Sequence, residues 1–342
     1  MIVVRAPLRI SFVGGGTDLP DFYRRYPGRV ISTAIDKFVY LAINRTPLID
    51  KVSARYSITE TVGHPSELQH TRIKAALMDM GITSNIEIGS FATLPAKTGL
   101  GSSSSFSVAL IKGLNAFQGK KIGKKEAAQA AARLEIELLK EPIGLQDQYA
   151  AAFGGFNIFQ FNPDESVDVE PVLLDFKTRL ACEDHLLLFF TGVTREASSV
   201  LTEQKANIAQ DEKFETMKAM ADSVHEFAAR LMRADFEGLG TMLHEGWLRK
   251  KTLASNVSNG TIDDLYQAGV NAGAWGGKVL GAGGGGCLLF VVAPEKKAAV
   301  REAIMNIAKA KDLREAREIP MHFVQSGTEV LFNGDYYHHM NA

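Results

Sequence analysis

The sequence predicts an α+β protein of two domains. Its 342 residues are many for a single hydrophobic core, so two cores sharing an interface are expected. Strand-like segments dominate the first part of the chain, whereas amphipathic helices dominate after about residue 176. Because strands and helices are grouped rather than regularly alternating, the pattern favours α+β over a parallel βαβ sheet. We therefore expect a first domain over residues 1–176 and a second over residues 177–342.

Hydrophobic periodicity predicts the individual elements. Segments that are rich in β-branched and aromatic residues, or that alternate with a period of two, predict strands over residues 1–13, 30–44, 85–91, 186–191 and 278–293. Apolar residues at helical spacing predict helices over residues 102–117, 126–139, 145–153, 197–210, 213–232, 261–274 and 296–310. Pro142 ends the second helix, the pair Gly154-Gly155 ends the third, and glycines at 281 and 283–286 interrupt the last strand.

Composition narrows the class of protein. A formal charge of -1 and the lack of a basic stripe argue against binding to nucleic acid. No run approaches the roughly 18–20 apolar residues that span a bilayer, and residues 1–5 lack the order of a signal peptide. The two cysteines, Cys182 and Cys287, are too few for a disulfide framework or a zinc site. We expect a cytoplasmic protein whose partners are small molecules.

The strongest motif runs from Leu94 to Ser105 and leads directly into the first predicted helix. A glycine loop before a helix leaves backbone N–H groups pointing at one place, and the helix dipole adds positive potential, so a phosphate chain fits there. Gly99 and Gly101 let the backbone approach phosphate oxygens without a Cβ in the way. The alternative is that the serines only cap the helix, which needs one such residue rather than four.

Two further glycine segments frame this loop. In the first, a strand ends in Gly14-Gly15-Gly16 and is followed by Thr17 and Asp18, a carboxylate that could accept from substrate hydroxyls. The alternative is a glycine turn in which Asp18 caps a helix. The second, over residues 281–286, has the spelling of a dinucleotide-binding loop. A strand follows it where that fingerprint needs a helix, so an oxidoreductase is excluded.

Carboxylates complete the set that phosphoryl transfer requires. Asp147 is placed in the first turn of the third predicted helix, and Glu135 and Glu137 lie on the preceding helix. Phosphoryl transfer needs one carboxylate to orient or deprotonate the attacking hydroxyl and another group to hold Mg²⁺ against the phosphates. The alternative for Glu135 and Glu137 is a solvated helix face.

Taken in this order, the segments resemble the GHMP kinase superfamily, which includes galactokinase, homoserine kinase, mevalonate kinase and phosphomevalonate kinase. Residues 6–18 resemble its first motif, residues 95–105 its phosphate loop and residues 279–287 its third motif. The resemblance covers nearly the whole chain. It implies an N-terminal domain like ribosomal protein S5 domain 2, a ferredoxin-like C-terminal domain, an active site between them, and ATP with Mg²⁺.

The resemblance also implies roles for residues. Asp147 matches the catalytic aspartate, Arg9 matches the basic residue beside it, and Glu135 with Ser103 matches the Mg²⁺ ligands. Glu137 stays open as an alternative to Glu135. The implied ATP-phosphate-binding residues are Pro95, Gly99, Leu100, Gly101, Ser102, Ser103 and Ser104. The implied substrate-binding residues are Gly16, Thr17, Asp18, Arg55, Arg195 and Gly284.

Departures from the family pattern bear on the acceptor. Galactokinases carry Gly-Glu-His where this chain has three glycines before Thr17-Asp18, which makes galactose a poor candidate. Serines 104 and 105 replace two alanines of the usual phosphate loop, so the identity of the metal-bound serine stays open.

Residues 13–20 and 146–156 resemble a narrower branch, the D-glycero-D-manno-heptose 7-phosphate kinases. These enzymes phosphorylate the C1 hydroxyl to give a 1,7-bisphosphate, on the way to nucleotide-activated heptose. The candidates for holding the substrate's own phosphate are Arg29, Arg55, Arg195, Lys250 and Lys251, with Arg195 the first choice. An L-fucose-type or other sugar-1-kinase, or a silent sugar-sensing homologue, is the alternative. The oligomeric state is left open.

Overall fold

The computed structural model describes residues 1–194 and 197–334, and it confirms the predicted α+β class. The described residues form the strands β1 (Ile2–Val13), β2 (Gly28–Arg45), β3 (Val52–Arg55), β4 (Thr59–Val62), β5 (Ile86–Ala92), β6 (Phe156–Phe161), β7 (Val167–Pro171), β8 (Leu186–Phe190), β9 (Ala274–Val279), β10 (Cys287–Val292), β11 (Arg317–Glu318) and β12 (Glu329–Asn333).

The helices are α1 (Pro20–Tyr23), α2 (Thr71–Asp79), α3 (Ser102–Phe117), α4 (Lys124–Ala132), α5 (Gln146–Phe153), α6 (Phe176–His185), α7 (Ala197–Asn207), α8 (Asp211–Met232), α9 (Phe236–Lys251), α10 (Gly260–Asn271) and α11 (Lys297–Ala310). A π-helix, Arg133–Leu138, continues α4 directly. Two short 3₁₀ turns lie at Pro65–Glu67 and Pro294–Lys296.

The first sheet is organised around the long strand β2. One half of β2 pairs with β6 and the other half pairs with β5, while β1 runs antiparallel along most of its length. β3 pairs parallel with β5, and β4 and β7 extend the sheet. β12 returns from the far end of the chain and pairs antiparallel with β1. This arrangement holds β1, and the side chains on it, between two neighbours.

The second sheet has the strand order β11-β8-β10-β9 and is antiparallel. It is buried on both faces: Leu188 and Phe190 of β8 belong to the core shared with the first sheet, whereas Leu187 and Phe189 belong to a separate core. Successive side chains of a strand point to opposite faces, so burial of both faces requires the unbroken apolar run Leu-Leu-Leu-Phe-Phe of β8.

The predicted elements are confirmed for most of the chain, with three differences. The helix predicted over residues 126–139 gives way to the π-helix at Arg133. The strand predicted over residues 278–293 is two strands, β9 and β10, joined by the glycine loop. The third difference is a set of described elements that were not predicted, namely the helices α1, α2, α6 and α9 and the strands β3, β4, β6, β7, β11 and β12. The division at residue 176 stays a prediction, and α6 begins there.

One further property concerns the helices together. Over residues 1–194 and 197–334, no helix is both long enough and apolar enough to cross a bilayer.

Candidate active site

A cavity of about 500 Å³ lies where β1, the start of α3, the start of α5 and the β9–β10 loop meet. Its floor is formed by two glycine loops in direct contact. A Cβ on Gly99 would come within 2.5 Å of the carbonyl oxygen of Leu280, and one on Gly281 within 2.8 Å of the Cα of Gly99. The backbone N–H of Cys287 donates to the carbonyl of Thr98 at 3.0 Å. The close approach of these loops therefore requires glycine on both sides.

The N-terminus of α3 opens into this cavity. Gly101, which precedes the helix, has a left-handed φ of +75°, and Ser102, Ser103 and Ser104 line the cavity. Within the described residues no side chain caps this helix, so the serines do not act as its cap. Uncapped N–H groups at a helix N-terminus bind anions, which is the arrangement that a phosphate chain needs.

Arg9 and Asp147 form a two-point ion pair in the cavity wall. The Nε and Nη2 atoms of Arg9, on β1, donate to the two carboxylate oxygens of Asp147, in the first turn of α5, each at 2.8 Å. Arg9 Nη1 also donates to the carbonyl of Gly99 at 2.7 Å. The Arg9 side chain is 4% exposed and that of Asp147 is 25% exposed. The carbonyl of Gly99 therefore helps to fix the buried guanidinium of Arg9, while the partly exposed carboxylate of Asp147 lines the cavity.

Asp18 provides a second carboxylate next to this pair. Its oxygens accept hydrogen bonds from the backbone N–H groups of Gly16 at 3.0 Å and Gln146 at 3.1 Å. Burial raises the pKa of Asp18 above its usual value, and the negative charge of Asp147 acts in the same direction. Gly144 makes room for this carboxylate, because a Cβ there would lie 2.0 Å from Asp18 Oδ2.

Glu135 lies fully buried in the π-helix behind the phosphate loop. Its carboxylate accepts hydrogen bonds from the hydroxyls of Ser104 and Ser107, each at 2.8 Å, and from the side-chain amide of Gln148. Arg72 adds an ion pair, with its Nε atom at 3.3 Å. Short π-helical segments are frequent at functional sites. Here the segment directs one carboxylate inward toward the serines of α3.

The donor set around Glu135 fits Mg²⁺ chemically, because carboxylate and hydroxyl oxygens are the ligands that this ion prefers. Of the phosphate-loop serines, Ser104 donates to Glu135, whereas Ser103 is exposed in the first turn of α3. Both serines line the cavity. In the described structure Arg72 supplies the positive charge beside Glu135.

Two buried lysines bring further positive charge to the cavity. Lys250, on α9, donates to the carbonyl of Gly281, and burial lowers its pKa to about 8, with the charge of Arg9 acting in the same direction. Lys278, on β9, donates to the carbonyls of Ser11 and Phe12 at 2.9 and 2.7 Å. Burial lowers the pKa of Lys278 well below its usual value. The described cavity lining thus holds more basic side chains than carboxylates, a surplus that favours anions. The basic side chains are those of Arg9, Arg72, Lys97, Lys250 and Lys278, and the carboxylates are those of Asp18, Glu141 and Asp147.

Residues 69–155 match the family described as GHMP kinases N terminal domain, and residues 226–310 match GHMP kinases C terminal. The D-glycero-alpha-D-manno-heptose 7-phosphate kinase of Campylobacter jejuni is 30% identical over 309 residues, which cover 86% of this chain and 91% of that protein. The chain belongs to the GHMP kinase family. GHMP kinases use ATP as the phosphate donor, so the protein is a phosphotransferase with an alcohol group as acceptor.

Two other proteins are similar to this GHMP kinase. A crystal structure of a D-glycero-D-manno-heptose 1-phosphate kinase from Bacteroides thetaiotaomicron matches with a TM-score of 0.78 and 25% identity, over 96% of this chain and 98% of that one. The L-fucokinase/L-fucose-1-P guanylyltransferase of Bacteroides fragilis is 26% identical over 95% of this chain, and the match spans 38% of that longer protein.

In this GHMP kinase only some of the described residues that were predicted to bind the substrate line the cavity. Gly16 lines the cavity, together with Asp18. The hydroxyl of Thr17 is buried and donates to the backbone carbonyls of Gly14 and Arg29. Gly284 bonds to a neighbouring loop, and Arg55 is exposed and paired with an acidic side chain of β5. Arg195 lies outside the described residues.

The predicted phosphate loop shows a similar division. Gly99, Gly101 and the three serines line the cavity, whereas Pro95 is exposed outside it. Leu100 is buried, and its carbonyl accepts from the backbone N–H of Arg9 at 3.0 Å. Glu137, the alternative to Glu135, is exposed.

Among the other cations considered for a substrate phosphate, Lys250 lines the cavity, while Arg29 and Lys251 pair with acidic side chains elsewhere. Sequence reasoning missed Lys278, Arg72 and Gln204, which line the cavity as well. The sequence signal that could have revealed Lys278 is a lysine in a strand whose other residues are small or apolar, because lysine is rarely buried in such a strand.

Proposed function

We propose that this GHMP kinase transfers the γ-phosphoryl group of ATP to the C1 hydroxyl of D-glycero-D-manno-heptose 7-phosphate, giving the 1,7-bisphosphate for nucleotide-activated heptose synthesis. The observation that carries the proposal is the Arg9–Asp147 pair, which lines the same cavity as the uncapped helix N-terminus and Asp18. The similarity to the Campylobacter jejuni heptose 7-phosphate kinase supports the choice of acceptor.

In the proposed reaction the C1 oxygen attacks the γ-phosphorus in line with the leaving β-phosphate oxygen. The bond from this oxygen to phosphorus forms, the bond from phosphorus to the β-phosphate oxygen breaks, and ADP leaves with that electron pair. Asp147 orients the hydroxyl and accepts its proton. Arg9 stabilises negative charge on the transferring group, and its three hydrogen bonds keep it in place for this role.

The remaining groups hold the two substrates. The loop at Gly99 and Gly101 and the serines of α3 would bind the phosphates through backbone N–H groups and hydroxyls. Glu135 and Ser103 would hold Mg²⁺, which neutralises charge on the phosphates when it is bound. Lys250 would contact the transferring phosphoryl group, since it lines the same cavity as Arg9, Asp18 and Asp147. Asp18 would accept from hydroxyls of the sugar.

The second candidate is a sugar-1-kinase of the L-fucose type. The similarity to the Bacteroides fragilis fucokinase over 95% of this chain favours it. The names of the two heptose kinases differ in the position of the phosphate on the acceptor, so that position needs its own test.

The experiment measures Mg·ATP-dependent ADP release with D-glycero-D-manno-heptose 7-phosphate, its 1-phosphate isomer, free heptose, L-fucose and galactose. We expect turnover with the 7-phosphate, and a new anomeric phosphate resonance coupled to H1 in the ³¹P spectrum of the product. Turnover confined to the 1-phosphate would refute the C1 assignment, because that oxygen is already blocked. Turnover confined to L-fucose would favour the second candidate, and silence with every sugar would favour the sensing homologue.

A further inference from the structure

Gln204 carries a buried hydrogen-bond donor that has no partner in the described part of the chain. Its side chain is 1% exposed and reaches the cavity from α7. The Nε2 atom is fully buried and makes no hydrogen bond with any described group. A buried donor without an acceptor destabilises a folded protein. Because Gln204 lines the cavity, we expect its side-chain amide to donate a hydrogen bond to a bound ligand.

The neighbouring backbone is shaped around this amide. A Cβ on Gly16 would come within 2.3 Å of Gln204 Nε2, so glycine at that position leaves room for the side chain. The φ of Gly16 is +101°, which other residues rarely adopt. Glycine at position 16 is thus needed for the side chain of Gln204 to reach the cavity wall.

Two groups of opposite hydrogen-bonding character flank Gly16. On one side the unpartnered Nε2 of Gln204 can only donate. On the other side Asp18 accepts from the N–H of Gly16 at 3.0 Å. A hydroxyl group suits this pair, because it can accept from the amide and donate to the carboxylate at the same time. A phosphate oxygen suits it less well, because a dianion is repelled by the neighbouring carboxylate.

We propose that Gln204 binds the acceptor sugar by donating a hydrogen bond to a non-reacting hydroxyl, which in turn donates to Asp18. This inference rests on the proposed function, since it assumes a sugar in the cavity. It assigns to α7 a direct part in choosing among sugars that differ in the presence or orientation of one hydroxyl group.

The test replaces the amide with an apolar side chain of similar length, Gln204→Met, and Gln210→Met serves as the matched control on the exposed segment after α7. In Gln204→Met we expect KM for the acceptor to rise on the order of 10-fold to 100-fold, as for the loss of one hydrogen bond that leaves a polar partner unpaired. KM for ATP should be unchanged. The melting temperature should not fall, because the substitution removes an unpartnered donor.

Analogues of the acceptor then identify the hydroxyl. Each monodeoxy form of the sugar is compared with the parent on wild type and on Gln204→Met. One analogue should lose affinity on wild type and show no further loss on the variant, as in a double-mutant cycle. An unchanged acceptor KM in Gln204→Met would overturn the inference, as would a cycle in which removal of the sugar's phosphate, and not of a hydroxyl, cancels the effect.

These outcomes are separate from those of the proposed function. A wild-type protein that phosphorylates no sugar of the panel refutes the proposed function itself. A wild-type protein that is active while Gln204→Met retains its acceptor KM refutes only the role of Gln204.

Discussion

The substitution Asp147→Asn separates the chemical role of the Arg9–Asp147 pair from its structural role. The amide keeps the shape of the carboxylate but removes its charge and its capacity to accept a proton. If Asp147 is the general base, kcat should fall by a factor of about 10²–10⁴. Binding of ATP should be retained, because the described hydrogen bonds connect Asp147 to the phosphate loop indirectly, through Arg9 and the carbonyl of Gly99.

The same change should lower stability by an amount that the structure allows us to bound. Removing one partner of a buried ion pair costs about 3–5 kcal/mol. Arg9 is 4% exposed but Asp147 is 25% exposed, so solvent screens part of the loss and we expect about 2–3 kcal/mol. Asp18 would then be the remaining buried carboxylate among the described residues that line the cavity, beside the buried basic side chains of Arg9 and Lys250.

The assay combines single-turnover kinetics with denaturant unfolding in the absence of nucleotide. The matched control is Asp79→Asn, because Asp79 also makes a two-point pair, with Arg133 at 2.7 Å, but this pair is 30–48% exposed. The control should lose less than about 1 kcal/mol of unfolding free energy and keep its kcat.

The double variant Arg9→Met/Asp147→Asn should recover stability but not turnover. A kcat within about tenfold of wild type in Asp147→Asn would refute the general-base role, and equal stability losses in both pairs would refute the charge argument.

Two other predictions concern the same cavity. If the ammonium group of Lys250 contacts phosphate, kcat/KM for ATP should fall as pH rises through about 8, the pKa of Lys250 in the protein without ligand. The stability contribution of Lys250 should instead rise from about pH 8 to 10.5, since the unfolded chain then binds more protons, and unfolding of Lys250→Met across this window should lack that rise. Gly144→Ala should raise KM for the acceptor at least about tenfold and cost about 1–3 kcal/mol, because its Cβ would displace Asp18. Gly246→Ala, in open space on α9, is the control, and an equal effect in both variants would contradict the steric argument.

The sequence predicted those helices and strands whose conformation is determined by their own residues and immediate neighbours. The helix α3 has the predicted bounds, residues 102–117, since a glycine loop precedes it and its apolar face has a helical period. The predicted position of Asp147 in the first turn of a helix is also confirmed. The α+β class followed from the grouping of such elements.

Contacts between distant parts of the chain could not be worked out in this way. Arg9 and Asp147 are 138 positions apart, and only the resemblance to a family paired them. The solvated-face alternative for Glu135 is wrong because the π-helix, which periodicity does not reveal, turns this side chain inward. The strand at Lys278 was predicted, but its contacts were not. These contacts depend on carbonyls of β1, which is distant along the chain.

The pairing of β12 with β1 has a consequence for the synthesis of the protein on the ribosome. The β1 residues Ile2–Arg5 leave the exit tunnel long before their partners, Glu329–Asn333, because Arg5 and Glu329 are 324 positions apart. Until then the edge of the strand that carries Arg9 has open N–H and C=O groups, which invite pairing with other chains. The ion pair of Arg5 with Glu329 at 2.9 Å stabilises the closed edge, so protection of the strand that carries Arg9 depends on a segment that is synthesised 324 positions later.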